Sequence, residues 1–330
     1  MGLASMYEDY FRIGAACAPD RLDKQGMHIA EHYRSITAEN CMKPMEIQPA
    51  EGLFDFRQAD KLVDYAFEHQ LDVRGHTLVW HNQTGEWMFK DGNNHVTKET
   101  LFSRMKTHIA TVMARYPLIK SWDVINEAIA DEDNRFLRES MYSRIAGESY
   151  IEHAFECAHE ANQSANLFYN DYNESDPKKR DKIVRLLKGL LEKGIPVHGI
   201  GMQGHWNLYG PSIEEIQAAI EAYASLGLRI EVTELDLSLF DWNDRRCDLL
   251  EPTSEMLELQ ANRYDEIFSL FRSYKDVIDS VTFWGAADDY TWLSDFPVKG
   301  RKNWPFLFDD RFQPKESYKR VTHFSRLERV

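Results

Sequence analysis

The segment WDVINEAI (residues 122–129) runs from apolar residues directly into Asn126 and Glu127, with an apolar pair after them. A carboxylate costs several kcal/mol to bury unless it is paired or protonated, so this placement needs a reason. We interpret residues 121–126 as a buried strand that delivers the Asn-Glu pair at its carboxyl end. This one unit, repeated along the chain, predicts the fold.

The unit is a short apolar run, a polar loop and an amphipathic stretch, and it recurs through all 330 residues. Strands are predicted over residues 12–17, 35–40, 72–79, 121–126, 165–171, 199–205, 229–234 and 281–285. Helical spacing lies between them, as at Leu62, Val63 and Ala66. Eight such units predict an α/β fold, a closed (β/α)8 TIM barrel that forms a single domain over residues 1–330. An open doubly wound sheet is the alternative, but RIGAACAP (12–19) is not its Gly-rich phosphate loop.

Composition limits the partners of the chain. The net charge is -15, which repels phosphate backbones, so we expect no nucleic-acid partner. No run approaches 18 consecutive apolar residues, so we expect no membrane span. The first residues, MGLASMYEDYFRIG, lack the features of a signal peptide, and the four scattered cysteines suit a reducing compartment. A cytoplasmic location is therefore expected, and the oligomeric state is not indicated.

Polar and aromatic groups accumulate where the predicted strands end, and the carboxyl ends of barrel strands form the active-site rim. Glu127 follows the fourth strand, and Glu234 ends the seventh. Two carboxylates facing one cavity are the arrangement of glycoside hydrolysis, one as acid/base and the other as nucleophile or water activator. A single Glu after a strand is also typical of a helix N-terminus. Glu31, Glu39 and Glu231 are further candidates from the residues alone.

The neutral polar residues near the strand ends favour a sugar substrate. Amides that pair with hydroxyl groups are available at Asn40, Asn126, Asn170, Gln203 and Asn207, and flat apolar faces at Trp80, Trp284 and Trp292.

A metal site is the competing interpretation, with His76, His81, His205 and Asp289 as conceivable ligands. The odd offset of His76 and His81 puts them on opposite faces of a strand, and no HxH or HExxH spacing occurs. We therefore predict no metal and no cofactor. Full activity in the presence of a chelator would exclude the interpretation as a metal-dependent barrel hydrolase.

The motifs, in their order along the chain, resemble the family-10 glycoside hydrolases, which are mostly endo-β-1,4-xylanases. The resemblance runs from about residue 10 to residue 320. The matching segments are TAENCMKP (37–44), GHTLVWHNQT (75–84), WDVINEA (122–128), QGHW (203–206), GLRIEVTELDL (227–237) and WG (284–285). Two departures are GEW (85–87), where loop shape is in question, and Thr291, where little change is expected because Trp292 is retained.

The resemblance implies a retaining double displacement on internal β-1,4-xylosidic bonds of xylan-derived oligosaccharides. It assigns Glu234 as nucleophile, Glu127 as acid/base, His205 as the residue that orients the nucleophile, and Asn126 as the contact to the sugar 2-hydroxyl. The remaining implied substrate contacts are Glu39, Asn40, Lys43, His76, Trp80, His81, Gln203, Trp284 and Trp292, with Asp236 in support. Tyr172, Trp206 and Tyr209 are weaker candidates on the aglycone side.

Two other functions stay open at this point. A β-1,4-glucan or aryl-cellobioside hydrolase would use the same mechanism, because only clearance at the sugar C5 position separates glucose from xylose. A non-catalytic sugar-binding barrel would keep the pocket without turnover.

Overall fold

Eight parallel strands form a closed barrel in the computed structural model, which describes residues 2–326. They are β1 (Arg12–Cys17), β2 (Ser35–Ala38), β3 (Asp72–Trp80), β4 (Ser121–Asn126), β5 (Asn166–Asp171), β6 (Gly199–Met202), β7 (Arg229–Ser238) and β8 (Ile278–Phe283). Each strand pairs with the next one along the chain, and β8 pairs with β1, which closes the barrel. The predicted (β/α)8 barrel is confirmed.

Helices connect the strands and cover the outside of the barrel. They are α1 (Leu22–His32), α2 (Pro44–Ile47), α3 (Arg57–Glu68), α4 (Lys98–Arg115), α5 (Met141–Ala146), α6 (Ser149–Ala161), α7 (Pro177–Glu192), α8 (Ile213–Ala224), α9 (Ser254–Ser273) and α10 (Glu316–Thr322). Side-chain oxygens of Thr97, Asp176, Ser212 and Thr253 accept backbone N–H groups at the starts of α4, α7, α8 and α9. These caps satisfy donors that have no partner inside a helix.

Smaller elements decorate the two ends. A hairpin joins Lys90–Asp91 to Asn94–His95, a short strand covers His205–Asn207, and 3-10 turns cover Ala4–Met6, Pro19–Arg21, Glu86–Met88, Trp292–Ser294 and His323–Arg326. Within residues 2–326, no helix combines the length and the hydropathy that a bilayer crossing requires.

The strands are buried on both faces, as in other parallel sheets covered by helices. In β4, Trp122, Val124 and Ile125 are fully buried. Gly75 on β3 is required by this packing, because a Cβ atom there would lie 2.1 Å from the ring of Trp122. The apolar run that predicted a strand over residues 121–126 therefore reflects a strand whose two faces are both buried.

A buried ionic network fills the interior between β3, β4 and β7. The guanidinium of Arg74 donates to the carboxylates of Asp123 and Glu231, and its Nη1 atom lies 2.9 Å from Oγ of Ser121. Arg74, Asp123 and Glu231 are each at most 5% exposed. Glu231, a candidate acid from the sequence, is thus used as a structural partner of Arg74, and Glu31 lies exposed on α1.

The bounds of β1 and β4 match the sequence prediction, and those of the other six strands differ. Strand β2 ends at Ala38 rather than at residue 40, and the bounds of β3 and β5 differ by one residue. Strand β8 begins at Ile278 and ends at Phe283, so Trp284 lies beyond it. Strand β6 ends at Met202, and His205 starts a separate short strand that pairs with β7. The backbone turns between them at Gly204, whose φ of 74° suits glycine. Strand β7 continues past Glu234 to Ser238.

Candidate active site

A cavity of about 930 Å³ opens at the carboxyl rim of the barrel. It is lined by residues within or just after β2, β3, β4, β5, β6, β7 and β8, as expected for a TIM barrel. Its lining residues are Glu39, Asn40, Lys43, His76, Trp80, Asn82, Asn126, Glu127, Tyr172, Asn173, Gln203, His205, Glu234, Trp242, Arg245, Trp284, Tyr290, Thr291, Trp292, Asp295, Phe296 and Pro297. Glu127 and Glu234 therefore share one cavity, although they are far apart in sequence.

Glu127 stands directly after β4 in a backbone conformation that few non-glycine residues adopt. Its φ is 58°, and its N–H donates to the carbonyl of Asn170 at 2.8 Å. Such left-handed positions cost on the order of 1–3 kcal/mol and are concentrated at functional sites. Trp80 Nε1 donates to one carboxylate oxygen at 2.9 Å, and Gln203 Nε2 to the other at 3.0 Å. The carboxylate is thus held in the cavity by neutral donors.

Glu234 is 5% exposed and is surrounded by donors. His205 Nε2 lies 3.1 Å from Oε2, and Asn170 Nδ2 donates to Oε1 at 2.8 Å. Burial alone would raise the pKa of Glu234. The hydrogen bond from His205, the nearby imidazoles of His76 and His205, and the amide of Asn170 instead lower that pKa to about 2. Glu234 is therefore an ionised carboxylate at neutral pH.

His205 lies between two carboxylates. Its Nδ1 atom lies 3.0 Å from Oδ2 of Asp236, which also accepts a hydrogen bond from Trp292 Nε1 at 2.8 Å. Burial would lower the pKa of His205, but the charge and hydrogen bond of Asp236, and then those of Glu234, raise it to about 10. Both ring nitrogens then carry protons and donate, one to Glu234 and one to Asp236.

Side-chain amides connect the two cavity carboxylates. Asn170 Nδ2 donates at 2.8 Å to Asn126 Oδ1 as well as to Glu234, and Asn126 Nδ2 donates to Glu127 Oε1 at 3.3 Å. Thr233 Oγ1 donates to Asn170 Oδ1 at 2.7 Å, which orients that amide. Asn170 is fully buried and does not line the cavity. The expectation that Asn170 contacts sugar hydroxyls directly is wrong; its amide is consumed by Glu234 and Asn126.

Buried polar groups after β2 form one wall of the cavity. Lys43 Nζ donates to Asn40 Oδ1 at 2.8 Å and lies 4.7 Å from the ring centroid of Trp80. Glu39 accepts a hydrogen bond from the hydroxyl of Tyr290 at 2.9 Å. Burial raises the pKa of Glu39 and lowers that of Lys43, so each group is partly desolvated before any ligand binds. Hydrogen bonds to such groups gain strength when water is excluded.

His81 is the one predicted substrate contact that is absent from the cavity lining. Strand β3 ends at Trp80, which lines the cavity, and His81 begins the loop that follows. Burial, followed by the charge of Arg138, lowers the pKa of His81 to about 4. His81 is thus a predicted contact that lies outside the cavity lining, and Asp236 lies behind His205.

The weaker aglycone candidates separate in the structure. Tyr172 lines the cavity. Trp206 is buried and donates through Nε1 to Glu174 at 3.1 Å, and Tyr209 is 62% exposed outside the cavity. Odd or even spacing in the sequence does not show which of these three side chains faces the cavity, because all three lie in irregular segments or short strands.

Several lining residues lay outside the sequence prediction. They are Asn82, Asn173, Trp242, Arg245, Tyr290, Thr291, Asp295, Phe296 and Pro297. Most belong to the loops after β7 and β8, where no periodicity indicates which side chains turn inward. The sequence indicated only that these residues follow the ends of strands. That signal identifies a whole loop and does not identify which of its side chains face the cavity.

The two departures from the resemblance have local structural roles. Trp87 of the GEW segment donates through Nε1 to the carbonyl of Gln48 at 3.0 Å and does not line the cavity. Thr291 caps the turn Trp292–Ser294 by accepting the N–H of Leu293 at 3.2 Å. Trp292 stays in the cavity, with its ring centroid 4.9 Å from that of His205.

Metal chemistry has no candidate centre in the part of the chain described. Residues 2–326 contain no group of three or more His, Cys, Asp or Glu side chains arranged to hold an ion. His76 instead lies 2.9 Å from Asp123 through Nδ1, and Asp289 accepts from Gln25 Nε2 at 2.9 Å. The polar groups of the cavity are therefore arranged around carboxylates.

Comparison with known proteins places this site in a family. The sequence profile of glycosyl hydrolase family 10 matches residues 2–324. Endo-1,4-beta-xylanase B of Paenibacillus barcinonensis is 55% identical over 321 residues, which cover 97% of this chain and 97% of that protein. An endo-1,4-beta-xylanase of Geobacillus stearothermophilus is 54% identical over 323 residues, which cover 97% of this chain and 98% of the relative.

Solved structures agree with the sequence comparison. The crystal structure of xylanase XynB from Paenibacillus barcinonensis, complexed with a conduramine derivative, superposes with a TM-score of 0.96 at 54% identity, covering 97% of this chain and 98% of that one. A mutant structure in complex with xylotriose has a TM-score of 0.96 at 47% identity, covering 98% of this chain and 100% of that one. With the barrel, the paired carboxylates and the full-length match together, this chain belongs to glycosyl hydrolase family 10.

Proposed function

We propose that this chain is a retaining endo-1,4-β-xylanase that cleaves internal β-1,4-xylosidic bonds of xylo-oligosaccharides. The observation that carries the proposal is the pairing of an ionised Glu234 with Glu127 in one cavity. Relatives named as endo-1,4-beta-xylanases at 54–55% identity support it, as does a similar structure in complex with xylotriose.

In the first half-reaction, a carboxylate oxygen of Glu234 attacks the anomeric carbon as its bond to the leaving oxygen breaks. Glu127 donates a proton to that oxygen, and a covalent glycosyl-enzyme forms. The lowered pKa of Glu234 keeps the nucleophile ionised. Protonated His205 holds the nucleophile in position and offsets its charge until the new bond forms.

In the second half-reaction, Glu127 removes a proton from water, and the water oxygen attacks the same carbon from the face that the aglycone left. The bond to Glu234 breaks, and the carboxylate is regenerated. Two inversions give net retention. The amide chain through Asn170 and Asn126 holds both carboxylates throughout, which favours one relative geometry over both steps.

The groups proposed to bind sugar surround these carboxylates. Asn126 contacts the 2-hydroxyl of the sugar being cleaved, and Lys43, His76, Trp80 and Gln203 complete its pocket. Further contacts are assigned to Glu39, Asn40, Trp284 and Trp292. All of these side chains line the cavity, which supports the assignment.

The deciding experiment is product analysis on xylotriose, xylohexaose and polymeric xylan side by side, with the anomer of the first product followed by NMR. Internal cleavage of xylohexaose with a β-configured first product is expected. An α-configured first product would contradict retention. Failure to release phenol from an aryl β-xylobioside would favour a sugar-binding barrel without catalysis.

A β-1,4-glucanase is the second candidate, because it would use the same two carboxylates. Matched aryl β-xylobioside and β-cellobioside substrates separate the two activities, since the second adds only a hydroxymethyl group at C5 of each sugar. Higher kcat/KM on the xylobioside is expected. A cytoplasmic location stays a prediction, for which fractionation of the producing cells is the test.

A further inference from the structure

Arg245 is the feature of the cavity that a neutral sugar does not explain. Among the described residues that line the cavity, Lys43 is the lysine and Arg245 is the arginine. Lys43 is buried, bonded to Asn40 and close to the catalytic carboxylates. Arg245 is exposed at the outer edge, in the loop after β7.

Backbone carbonyls hold the guanidinium of Arg245, and they do not neutralise its charge. Its Nη1 atom donates to the carbonyls of Trp242 at 2.6 Å and Asp244 at 3.3 Å. The neighbouring carboxylate of Asp244 is engaged by Arg246, through Nε at 3.1 Å and the backbone N–H at 2.7 Å. Within residues 2–326, no carboxylate forms an ion pair with Arg245, so its Nε and Nη2 edge is available.

A second arginine beneath the loop adds to the positive charge. Arg301 is 1% exposed, its guanidinium lies 4.2 Å from the ring centroid of Phe240, and its Nη1 donates to the carbonyl of Asp244 at 2.8 Å. Its Nε and Nη2 atoms are buried and have no hydrogen-bond partner among the described residues. The charges of Arg245 and Arg246 act on Arg301 with the same sign, and the carboxylate of Asp244 acts with the opposite sign. An anion at this edge would meet a local excess of positive charge on a chain whose net charge is -15.

We propose that Arg245 is a specificity-determining residue that binds the carboxylate of a uronic acid branch on the xylo-oligosaccharide. The inference rests on the proposed function. A carboxylate accepts two parallel N–H bonds from one edge of a guanidinium, which matches the available Nε and Nη2 edge. The exposed position suits a branch that projects from the main chain, and the ring of Trp242 beside it offers an apolar face to the branch sugar.

The test compares two ligands of nearly the same shape. One is xylotetraose carrying a single α-1,2-linked glucuronic acid on an internal xylose, and the other is the methyl ester of that uronic acid. The chain is expected to show higher kcat/KM on the acid than on the ester. Arg245→Gln should lower the acid-to-ester ratio by about three- to tenfold, the range of an exposed charge-assisted contact, and Arg245→Lys by less. Added NaCl near 0.5 M should shrink the ratio of the unmodified chain.

Arg246→Gln is the matched control. It removes the same charge from the adjacent residue, but Arg246 does not line the cavity. The control should keep the acid-to-ester ratio and the rate on unbranched xylotetraose. An equal ratio in the unmodified chain and Arg245→Gln would overturn the proposal, and so would an equal loss on acid and ester, which is the result for a residue that only braces the loop.

Binding separates failure of this inference from failure of the proposed function. In a Glu234→Gln background, calorimetry of the acid and the ester measures recognition without turnover. Tighter binding of the acid that disappears with Arg245→Gln supports the proposal even where no substrate is cleaved. Equal affinities for acid and ester overturn it, whatever the rate on unbranched xylotetraose.

Discussion

The Nε2 atom of His205 lies 3.1 Å from Oε2 of Glu234, on a strand segment that pairs alongside β7. Because Asp236 is two residues beyond Glu234, it faces the same side and meets the other nitrogen of the ring at 3.0 Å. One protonated imidazole thus donates one N–H to each of two carboxylates on the same strand. Glu234 stays charged although it is buried.

Glu234→Ala is expected to abolish activity on all substrates, because it removes the carboxylate that is proposed to form the glycosyl-enzyme. A loss of kcat of at least about 10⁴-fold is expected, the scale of nucleophile removal in other hydrolases. The measurement is kcat on aryl β-xylobiosides with good and poor leaving groups. Substantial residual turnover on either would reverse the assignment of the two glutamates.

Glu127→Ala should behave differently, since good leaving groups depart without a proton. Loss of general acid catalysis should reduce kcat by about 10²–10⁴-fold on xylan and much less on an activated aryl xylobioside. Azide in the space left by the side chain should accelerate turnover and give a β-azide product. An α-azide, or no acceleration, would contradict the acid/base role.

Asp236→Asn tests how His205 keeps its proton. The charge of Asp236 is the largest influence that raises the pKa of His205, so its removal should lower that pKa and raise the pKa of Glu234. One pKa unit corresponds to about 1.36 kcal/mol. We therefore expect kcat to fall by about tenfold or more, and the acid limb of the pH profile to move to higher pH. Trp292→Phe removes the other donor to Asp236 and serves as comparison, because it changes no charge. An unmoved acid limb in Asp236→Asn would contradict the coupling.

The pair of His205 and Glu234 should make stability depend on pH in two windows. Glu234 has a pKa lowered from 4.5 to about 2, so its contribution is present above pH 4.5 and is lost as the pH falls toward 2. His205 has a pKa raised from 6.5 to about 10, so its contribution is complete below pH 6.5 and is lost as the pH rises through 10. The difference in Tm between the unmodified chain and His205→Gln should be largest between pH 4.5 and 6.5. A difference that does not change with pH would count against this linkage.

Arg74→Ala should destabilise the barrel strongly, because it leaves Asp123 and Glu231 buried without their cation. Breaking a buried ion pair by removing one partner costs about 3–5 kcal/mol. Urea unfolding measures the loss, with Arg115→Ala as control, because the ion pair of Arg115 with Asp60 is exposed and should matter far less. Equal effects of the two variants would contradict a structural role for the interior network.

The hydrophobic pattern of the sequence was sufficient to predict the barrel architecture. Runs such as residues 121–126 are buried on both faces, and their alternation with helical spacing has few solutions other than a parallel barrel. The ends of strands were predicted less well, because Trp284 and His205 continue the apolar or polar pattern past the residues at which β8 and β6 end. Pattern reports burial, whereas a strand end depends on pairing with its neighbours.

The presence of Glu127 and Glu234 in one cavity was predictable, because strand position and resemblance select the same residues. Glu127 and Glu234 both follow or end strands whose carboxyl ends share a rim, and the sequence motifs distinguish them from Glu31 and Glu231. The contrast between Asn126 and Asn170 was not predictable. Both are buried, hydrogen-bonded amides at strand ends, and only the tertiary structure shows that Asn126 lines the cavity whereas Asn170 lies behind it.

The sequence alone therefore determined the (β/α)8 barrel, its family and the two glutamates, because periodicity and motif order are properties of the chain itself. The tertiary structure decided which of the predicted contacts line the cavity: Trp80 does, and His81 does not. It also brought Arg245 and Trp242 into that cavity from a loop without periodicity. Loop side chains take their direction from contacts between segments distant in sequence, and those contacts exist only once the barrel has closed.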